Sequence, residues 1–189
     1  MNKLWQVWYG TLSKEQVDHL VAIGERAPLG NPGLGFGGES KNNDVRKTEI
    51  SWIPKNTPDG DHAELVLRHY AMEANKNAFG FNVDDLSDMQ YTKYSADSGG
   101  KYDWHIDTFW ANPTAYDRKI SVIVQLSDGG DYEGGDFQID PQYENPDPKL
   151  LRQKGTVIVF PSFLPHRVTK LTSGNRISLV SWLQGPKFR

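Results

Sequence analysis

The chain has 189 residues, a formal net charge of −3 and 37% apolar residues, among them six Trp, eight Tyr and eight Phe. This length suits one domain with a sizeable core, and the composition excludes a disordered chain. The acidic balance disfavours nucleic acid as a partner, because nucleic-acid binders usually present a basic surface. No stretch has the length of a membrane span, so no membrane association is expected.

Cysteine is absent from the sequence. Disulfides and thiolate metal sites are therefore excluded, and the reducing cytoplasm is the expected compartment. The residues that follow Met1 include no apolar run of the kind that a secretory signal carries. No internal repeat divides the chain, so residues 1–189 are expected to form a single domain.

Two helices are predicted in the N-terminal part of the chain. Residues 13–16 form a capping box, in which Ser13 caps the helix and Gln16 lies three residues further on. Apolar residues then recur at helical spacing as far as Gly24, near which the helix should end. A second run with helical spacing covers residues 61–79 and predicts a long helix packed on a sheet.

A long loop is predicted between these helices. Residues 28–44 are rich in glycine, include two prolines and show no periodicity. Loops of this length are usually functional or disordered, and the glycines would permit closure over a substrate. Short strands are predicted before the first helix, at residues 4–9, and after the loop, at residues 45–53.

The C-terminal part is predicted to consist of strands separated by clusters of Gly, Pro, Asp and Asn. With residues 45–53 these make about eight strands, the number expected of a jelly roll. Because helices come first and strands follow, the fold class is α+β, a double-stranded β-helix (jelly roll) core with N-terminal helices packed on one sheet. The predicted strands cover residues 89–95, 101–107, 119–126, 136–139, 156–160, 166–171 and 176–183.

His105 and Asp107 are two residues apart in a predicted strand, so their side chains should point to the same face. An imidazole and a carboxylate side by side suit a divalent first-row metal. His166 lies 59 residues after Asp107 (166 − 107) and would complete a triad of two histidines and one carboxylate. The alternative is a buried His–Asp pair with a structural role and an unrelated His166.

Four segments carry a resemblance to a known family, and they occur in that family's order. They cover residues 90–107, 132–137, 155–166 and 174–182. On these segments the chain resembles the Fe(II)- and 2-oxoglutarate-dependent oxygenases, and within them the prolyl 4-hydroxylase-like branch. The resemblance extends from about residue 45 to residue 186, which is most of the chain.

The resemblance implies that His105, Asp107 and His166 are catalytic and bind Fe(II), leaving positions for 2-oxoglutarate and dioxygen. It also implies that Arg176, ten residues after His166, binds the distal carboxylate of 2-oxoglutarate. Oxidative decarboxylation of this co-substrate gives succinate and CO2. Ascorbate is a further expected cofactor.

Two further residues are candidates for binding 2-oxoglutarate. Ser178 is two residues after Arg176 and so lies on the same face of a strand, although it would serve equally well as a buried serine bonded to backbone. Tyr94 is assigned by its position in the motif, with Tyr91 and Tyr102 as competitors for the role. Trp182 would follow on the face of Arg176, either lining the substrate pocket or packing in the core.

The expected function is hydroxylation of proline in a peptide or protein substrate. Hydroxylation of a free amino acid or another small molecule is an alternative within the same chemistry. Oxidative demethylation of nucleic acid is disfavoured by the acidic balance. A jelly roll that binds sugar or a structural metal without catalysis is the alternative outside enzymology.

Overall fold

The computed structural model describes residues 4–30, 45–111 and 113–189. Its strands, in chain order, are β1 (Gln6–Trp8), β2 (Leu29–Gly30), β3 (Arg46–Lys47), β4 (Glu49–Ile53), β5 (Asp85–Leu86), β6 (Met89–Ser95), β7 (Lys101–His105), β8 (Tyr116–Gln125), β9 (Tyr132–Gly134), β10 (Phe137–Ile139), β11 (Val157–Pro161), β12 (His166–Val168) and β13 (Leu171–Pro186). Its helices are α1 (Lys14–Arg26), α2 (Pro58–Ala74), continued by a π-helical turn (Asn75–Phe79), and α3 (Pro148–Leu151).

The described strands form two antiparallel sheets. The larger sheet has the order β1-β11-β8-β13-β6-β4-β2, with β5 and β9 also paired to β13, and the smaller has the order β10-β12-β7-β3. The two sheets enclose one buried cluster, to which β6, β8, β11 and β13 of the larger sheet and β10 and β12 of the smaller sheet contribute. This arrangement is a double-stranded β-helix, as the strand count predicted.

A second apolar cluster joins the helices to the outer face of the larger sheet. Leu20 and Ile23 of α1 and Leu67 of α2 pack in the same buried cluster as Val122 of β8 and Leu179 of β13. The predicted packing of the N-terminal helices on one sheet is therefore confirmed. Because apolar side chains fill this layer, the inner face of the sheet is left to carry polar groups. None of the described helices is long and apolar enough to cross a membrane.

Both N-terminal helices begin at side-chain caps. The capping box at α1 is present: the Ser13 hydroxyl accepts from the Gln16 amide, and the Ser13 N–H donates to the Gln16 side chain at 2.9 Å. The second helix begins at Pro58, not at residue 61, because Thr57 caps it by accepting from the Gly60 N–H at 3.0 Å. Periodicity alone missed that first turn, which carries a proline and a glycine.

Residues 45–53 were predicted to be one strand, and this is wrong. The chain changes sheets near Thr48, so that β3 pairs with β7 in the smaller sheet and β4 pairs with β6 in the larger one. The Arg46 guanidinium, which is buried, donates to the Thr48 hydroxyl at 2.8 Å and to the Gln90 side chain at 2.7 Å. The alternation of side chains continues through such a change of sheet, so the sequence pattern does not reveal it.

Other boundaries also differ from the sequence expectation. The predicted strand at 166–171 is divided, because β12 ends at Val168 and Leu171 already belongs to the 16-residue strand β13. Leu29 and Gly30, expected in the loop, pair with β4. The remainder of that predicted loop, residues 31–44, lies outside the described residues.

Gly24 should resist replacement by alanine even though it lies within α1. A helical glycine is normally about 1 kcal/mol worse than alanine, but a Cβ at Gly24 would lie 2.1 Å from Cδ2 of the buried Tyr91 ring. We expect Gly24→Ala to destabilise the protein by ~1–3 kcal/mol, as overpacking does. Thermal unfolding measures the change, and Ala22→Gly calibrates the helix-propensity contribution. A rise in Tm for Gly24→Ala would show that α1 moves away from the sheet without cost.

Candidate functional site

Three side chains able to bind a metal meet between the two sheets. His105 ends β7 and is the cross-strand partner of His166, the first residue of β12. Asp107 lies close to both: its Oδ1 is 3.8 Å from Nε2 of His105 and its Oδ2 is 3.5 Å from Nε2 of His166. One ligand atom from each of the three residues falls within 4.8 Å of the others.

Asp107 reaches this position by a route that differs from the sequence argument. The predicted strand 101–107 ends at His105, so Asp107 does not share a strand face with that histidine. Instead the Asp107 N–H donates to the Ser162 carbonyl at 2.8 Å. The backbone is therefore held by the turn between β11 and β12, and the carboxylate is brought to the two imidazoles from outside the strand.

The orientation of both imidazoles leaves Nε2 available for a metal. Nδ1 of His105 is 2.7 Å from the Asp103 carbonyl, and Nδ1 of His166 is 2.9 Å from the Leu164 carbonyl. A carbonyl only accepts, so Nδ1 carries the proton and Nε2 keeps its lone pair. Burial, together with the neighbouring His166, lowers the pKa of His105 to about 3, which keeps this ring neutral.

The Asp107 carboxylate is buried and yet charged. Burial opposes its ionisation, but His166, His105 and a hydrogen bond from Ser121 outweigh that effect and hold its pKa below the usual range. Two imidazoles that present Nε2 and one carboxylate are a donor set that suits Fe(II). Aromatic rings fix the histidines, since Tyr102 stacks on His105 at 3.5 Å between ring centroids and Phe160 lies 4.7 Å from His166.

Arg176, on β13 of the larger sheet, supplies a buried positive charge. It is only 4% exposed, and its cross-strand partner on β6 is Tyr94, whose ring centroid lies 5.4 Å from its Cζ. Within residues 4–30, 45–111 and 113–189, no carboxylate oxygen lies within 4 Å of its guanidinium. A buried cation without a counter-ion is costly, so the position favours an anionic ligand.

The two further candidates also lie in the larger sheet. Ser178 is buried and stands between Thr92 and Gln125 in the sheet register. Of the competing tyrosines, Tyr91 points to the helical side, where its hydroxyl donates to Glu25 at 2.7 Å. Tyr102 belongs to the smaller sheet, so Tyr94 is the tyrosine paired with Arg176.

Two glycines allow close packing beside Arg176. Gly134 and Gly135 have φ values of +68° and +64°. A Cβ at Gly134 would lie 2.2 Å from the Lys170 carbonyl oxygen, and one at Gly135 would lie 2.7 Å from the Leu171 side chain and 3.4 Å from Cδ of Arg176. Side chains at these two positions would therefore displace the start of β13.

Arg118, which lies near the triad on β8, was not among the site residues predicted from the sequence. Its guanidinium stacks on the Trp182 ring at 3.6 Å, and burial lowers its pKa. No hydrogen bond or ion pair joins this guanidinium to another described residue. The indole N–H of Trp182 likewise has no hydrogen-bond partner in the part of the chain that the structure describes. A charged residue at the start of the apolar run Ile120–Val124 was the signal available in the sequence.

The polar side chains along β8 have different hydrogen-bond partners. Gln125 donates from its side-chain amide to the Ser127 carbonyl and the Tyr132 hydroxyl, both at 3.0 Å. Ser121 instead donates to Asp107 at 2.7 Å, and this hydroxyl was also missed. A lone serine in an apolar strand was its only sequence signal.

Comparison with known proteins gives a family for these elements. The family model described as the 2OG-Fe(II) oxygenase superfamily matches residues 89–184, about half of the chain. A PKHD-type hydroxylase of Prochlorococcus marinus is 37% identical over 86 residues, which are 46% of this chain and 37% of that relative. Another from Synechococcus sp. (strain CC9605) is 28% identical over 155 residues, 71% of this chain and 67% of the relative. The chain thus matches little more than a third of the first relative's length.

Solved structures show the same fold. A Pseudomonas putida prolyl-4-hydroxylase superposes with a TM-score of 0.72 at 20% identity, covering 98% of this chain and 94% of its own. A prolyl hydroxylase from Trichoplax adhaerens, solved with a hypoxia inducible factor peptide fragment, gives 0.72 at 17% identity, covering 96% and 83%. At such identities the likeness establishes the architecture alone.

Proposed function

The chain belongs to the 2OG-Fe(II) oxygenase superfamily, and we propose that it is an Fe(II)- and 2-oxoglutarate-dependent dioxygenase that hydroxylates proline in a peptide or protein. Succinate and CO2 are the co-products. The observation that carries the proposal is the joint geometry of the site. Ligand atoms of His105, Asp107 and His166 lie within 4.8 Å of one another between the two sheets, and the larger of these sheets buries Arg176 without a carboxylate partner among the described residues.

In this proposal His105 and His166 bind Fe(II) through Nε2, and Asp107 binds it through its carboxylate. Bound Fe(II) supplies the dioxygen chemistry that side chains lack. The protein holds the ligands in place: carbonyls fix both histidine tautomers, and the Tyr102 and Phe160 rings limit rotation of the imidazoles. Because three protein ligands leave coordination positions open, the co-substrate and dioxygen have room to bind.

Arg176 binds the distal carboxylate of 2-oxoglutarate. A planar guanidinium pairs bidentately with a carboxylate, and its charge does not depend on pH in the physiological range. Tyr94 and Ser178 place their hydroxyls on the same face and donate to the same co-substrate. The co-substrate then lies along the inner face of the larger sheet, with one end at Arg176 and the other near the triad.

The peptidyl-proline substrate is supported by two residues near the triad. The Arg118 guanidinium, which stacks on the buried Trp182 ring, has N–H donors for a peptide carbonyl. Trp110, 59% exposed three residues after Asp107, offers an aromatic rim for an extended chain. Prolyl hydroxylases among the structural neighbours agree with this substrate class.

A free amino acid is the second candidate substrate, and Arg118 is the observation that favours it. A guanidinium without a partner among the described residues would pair with an α-carboxylate more strongly than with a neutral carbonyl. Both candidate substrates would therefore bind Arg118, and measuring the turnover of each distinguishes them.

We also propose the domain organisation, the accessory reductant and the compartment for this reaction. Residues 1–189 act as a single oxygenase domain. Ascorbate serves as an accessory reductant, since the metal has to be ferrous for each turnover. A reducing compartment favours that state, and we place the enzyme in the cytoplasm.

Removing any one of the three metal-binding side chains should strongly weaken metal binding while the fold survives. We expect His105→Ala, Asp107→Ala and His166→Ala each to weaken Mn(II) binding by more than the ~10–100-fold that loss of a supporting hydrogen bond costs. Anaerobic titration with Mn(II) measures binding without turnover, and thermal unfolding reports the fold. His69→Ala, which removes an exposed histidine on α2, is the control. Wild-type affinity in one of the three variants would remove that residue from the triad.

Arg176→Gln should act on the co-substrate. A hydrogen bond to a charged group contributes roughly 1.5–3 kcal/mol, so the KM for 2-oxoglutarate should rise by about one to two orders of magnitude. Arg26→Gln, at an exposed arginine paired with Asp59, should leave this KM unchanged. An unaltered KM in Arg176→Gln would assign the distal carboxylate to another residue.

The substrate is tested by products. Proline-containing peptides and free proline are incubated with Fe(II) and 2-oxoglutarate, and mass spectrometry locates an added oxygen atom while succinate is quantified. We expect peptides to be hydroxylated, and Arg118→Gln to raise the peptide KM without changing that for 2-oxoglutarate. Oxidation of free amino acids with every peptide inert would exclude the peptidyl substrate and leave the oxygenase activity in place.

A further inference from the structure

Asp107 is held by a chain of two buried hydroxyl groups. The Ser121 hydroxyl is 2.7 Å from Oδ2 of Asp107 and 2.9 Å from the Ser162 hydroxyl. Both serines are completely buried. Ser121 lies in β8 and Ser162 follows β11, so the two hydroxyls come from neighbouring strands of the larger sheet.

The direction of these hydrogen bonds follows from the groups involved. The Ser121 O–H donates to Oδ2 of Asp107, a carboxylate oxygen that serves as the acceptor. Ser121 has a single proton, and its oxygen is then free to accept from the Ser162 O–H. The order is therefore Ser162 to Ser121 to Asp107. Each bond polarises the next and strengthens it.

Ser162 also holds the backbone of the same segment. Its carbonyl accepts from the Asp107 N–H at 2.8 Å and from the Thr108 N–H at 3.2 Å. One residue thus fixes Asp107 twice, at the main chain directly and at the side chain through Ser121. Because Asp107 lies beyond the end of β7, no ladder hydrogen bond of that strand positions it, and this double attachment takes over the task.

Sheet stability alone does not explain a serine at position 121. Its neighbours Ile120, Val122, Ile123 and Val124 are all buried and apolar. Serine is a weak strand former beside such residues, and a buried hydroxyl is unfavourable unless it is hydrogen-bonded. Among the described residues the hydroxyl bonds only to Asp107 and Ser162, so the residue serves the site.

We propose that Ser121 and Ser162 are positioning residues that orient the Asp107 carboxylate for Fe(II). The proposal rests on the proposed function in one respect, that the triad binds this metal. The Ser121 hydroxyl, itself held by Ser162, engages Oδ2 and orients the carboxylate, while within the described ranges Oδ1 receives no hydrogen bond and faces His105. Partners that orient a metal ligand in this way typically contribute 10–100-fold to metal affinity.

The test compares serine variants by metal affinity in the absence of turnover. Mn(II) is titrated anaerobically into the full chain carrying Ser121→Ala, Ser162→Ala or both, and unfolding of each metal-free variant is recorded. We expect Ser121→Ala to raise the Mn(II) Kd about 10–100-fold and Ser162→Ala to raise it less. The double variant should match Ser121→Ala, because Ser162 acts on the carboxylate through Ser121.

Ser181→Ala is the matched control. Ser181 is also completely buried in the larger sheet, but its hydroxyl donates to the Asp88 carbonyl at 2.8 Å. It should lose stability comparably and keep its Mn(II) Kd. Ser121→Thr keeps a hydroxyl on a β-branched side chain that suits a strand, and it should restore most of the affinity lost in Ser121→Ala.

Two results would overturn the proposal. One is an unchanged Mn(II) Kd in Ser121→Ala despite a stability loss like that of Ser181→Ala. The other is full additivity of the two serine variants, since a linear chain of bonds predicts none. Failure of the wild-type chain itself to bind Mn(II) would instead contradict the proposed function, so the two failures are distinguishable.

Discussion

The site depends on the pairing of β7 with β12. His105 and His166 are cross-strand partners in this pair, and the ladder sets their ring centroids 4.2 Å apart. Side chains alternate along a strand, so a slip of one residue would move His166 to the other face and separate the two imidazoles. Asp107 is then fitted to this pair from beyond the strand, by the turn that precedes β12. The triad therefore depends first on the strand register, which brings the two histidines together, and then on the turn that positions Asp107.

The two buried clusters contribute differently, the outer one to stability and the inner one to the functional site. The outer cluster, between the helices and the larger sheet, is apolar throughout and needs no ligand. The inner face carries Asp107, Arg176 and several polar side chains whose burial is unfavourable until they are paired. A metal beside Asp107 and a dicarboxylate beside Arg176 would each compensate one of these charges. Ligand binding is thereby expected to stabilise the fold, because ligands that bind only the native state shift its equilibrium.

The sequence predicted the parts that depend on spacing and motif. The capping box of α1, the strand at 89–95 and the meeting of His105, Asp107 and His166 follow from local patterns and from the resemblance to the oxygenases. Arg118, Ser121 and the change of sheet near Thr48 were not predictable in this way. Their roles depend on which strands are neighbours, and a period of two residues is the same in every sheet. Ser121, for example, is informative only because β8 lies beside β11 and β13.

In the proposed function, charge balance makes Arg118 the residue on which substrate choice depends. With metal-bound imidazoles neutral, the charges of Fe(II), Asp107, Arg176 and a doubly charged 2-oxoglutarate would cancel. Arg46 is buried too, but it donates to Thr48 and Gln90 and lies over the Tyr102 ring. Arg118 stacks on Trp182 and Phe109, and no described residue accepts a hydrogen bond from its guanidinium. In the proposed function its acceptor comes from the substrate, a peptide carbonyl in one case and a free carboxylate in the other. A carboxylate would neutralise the charge of Arg118, whereas a carbonyl would leave that charge in place, and this difference separates the two candidate substrates.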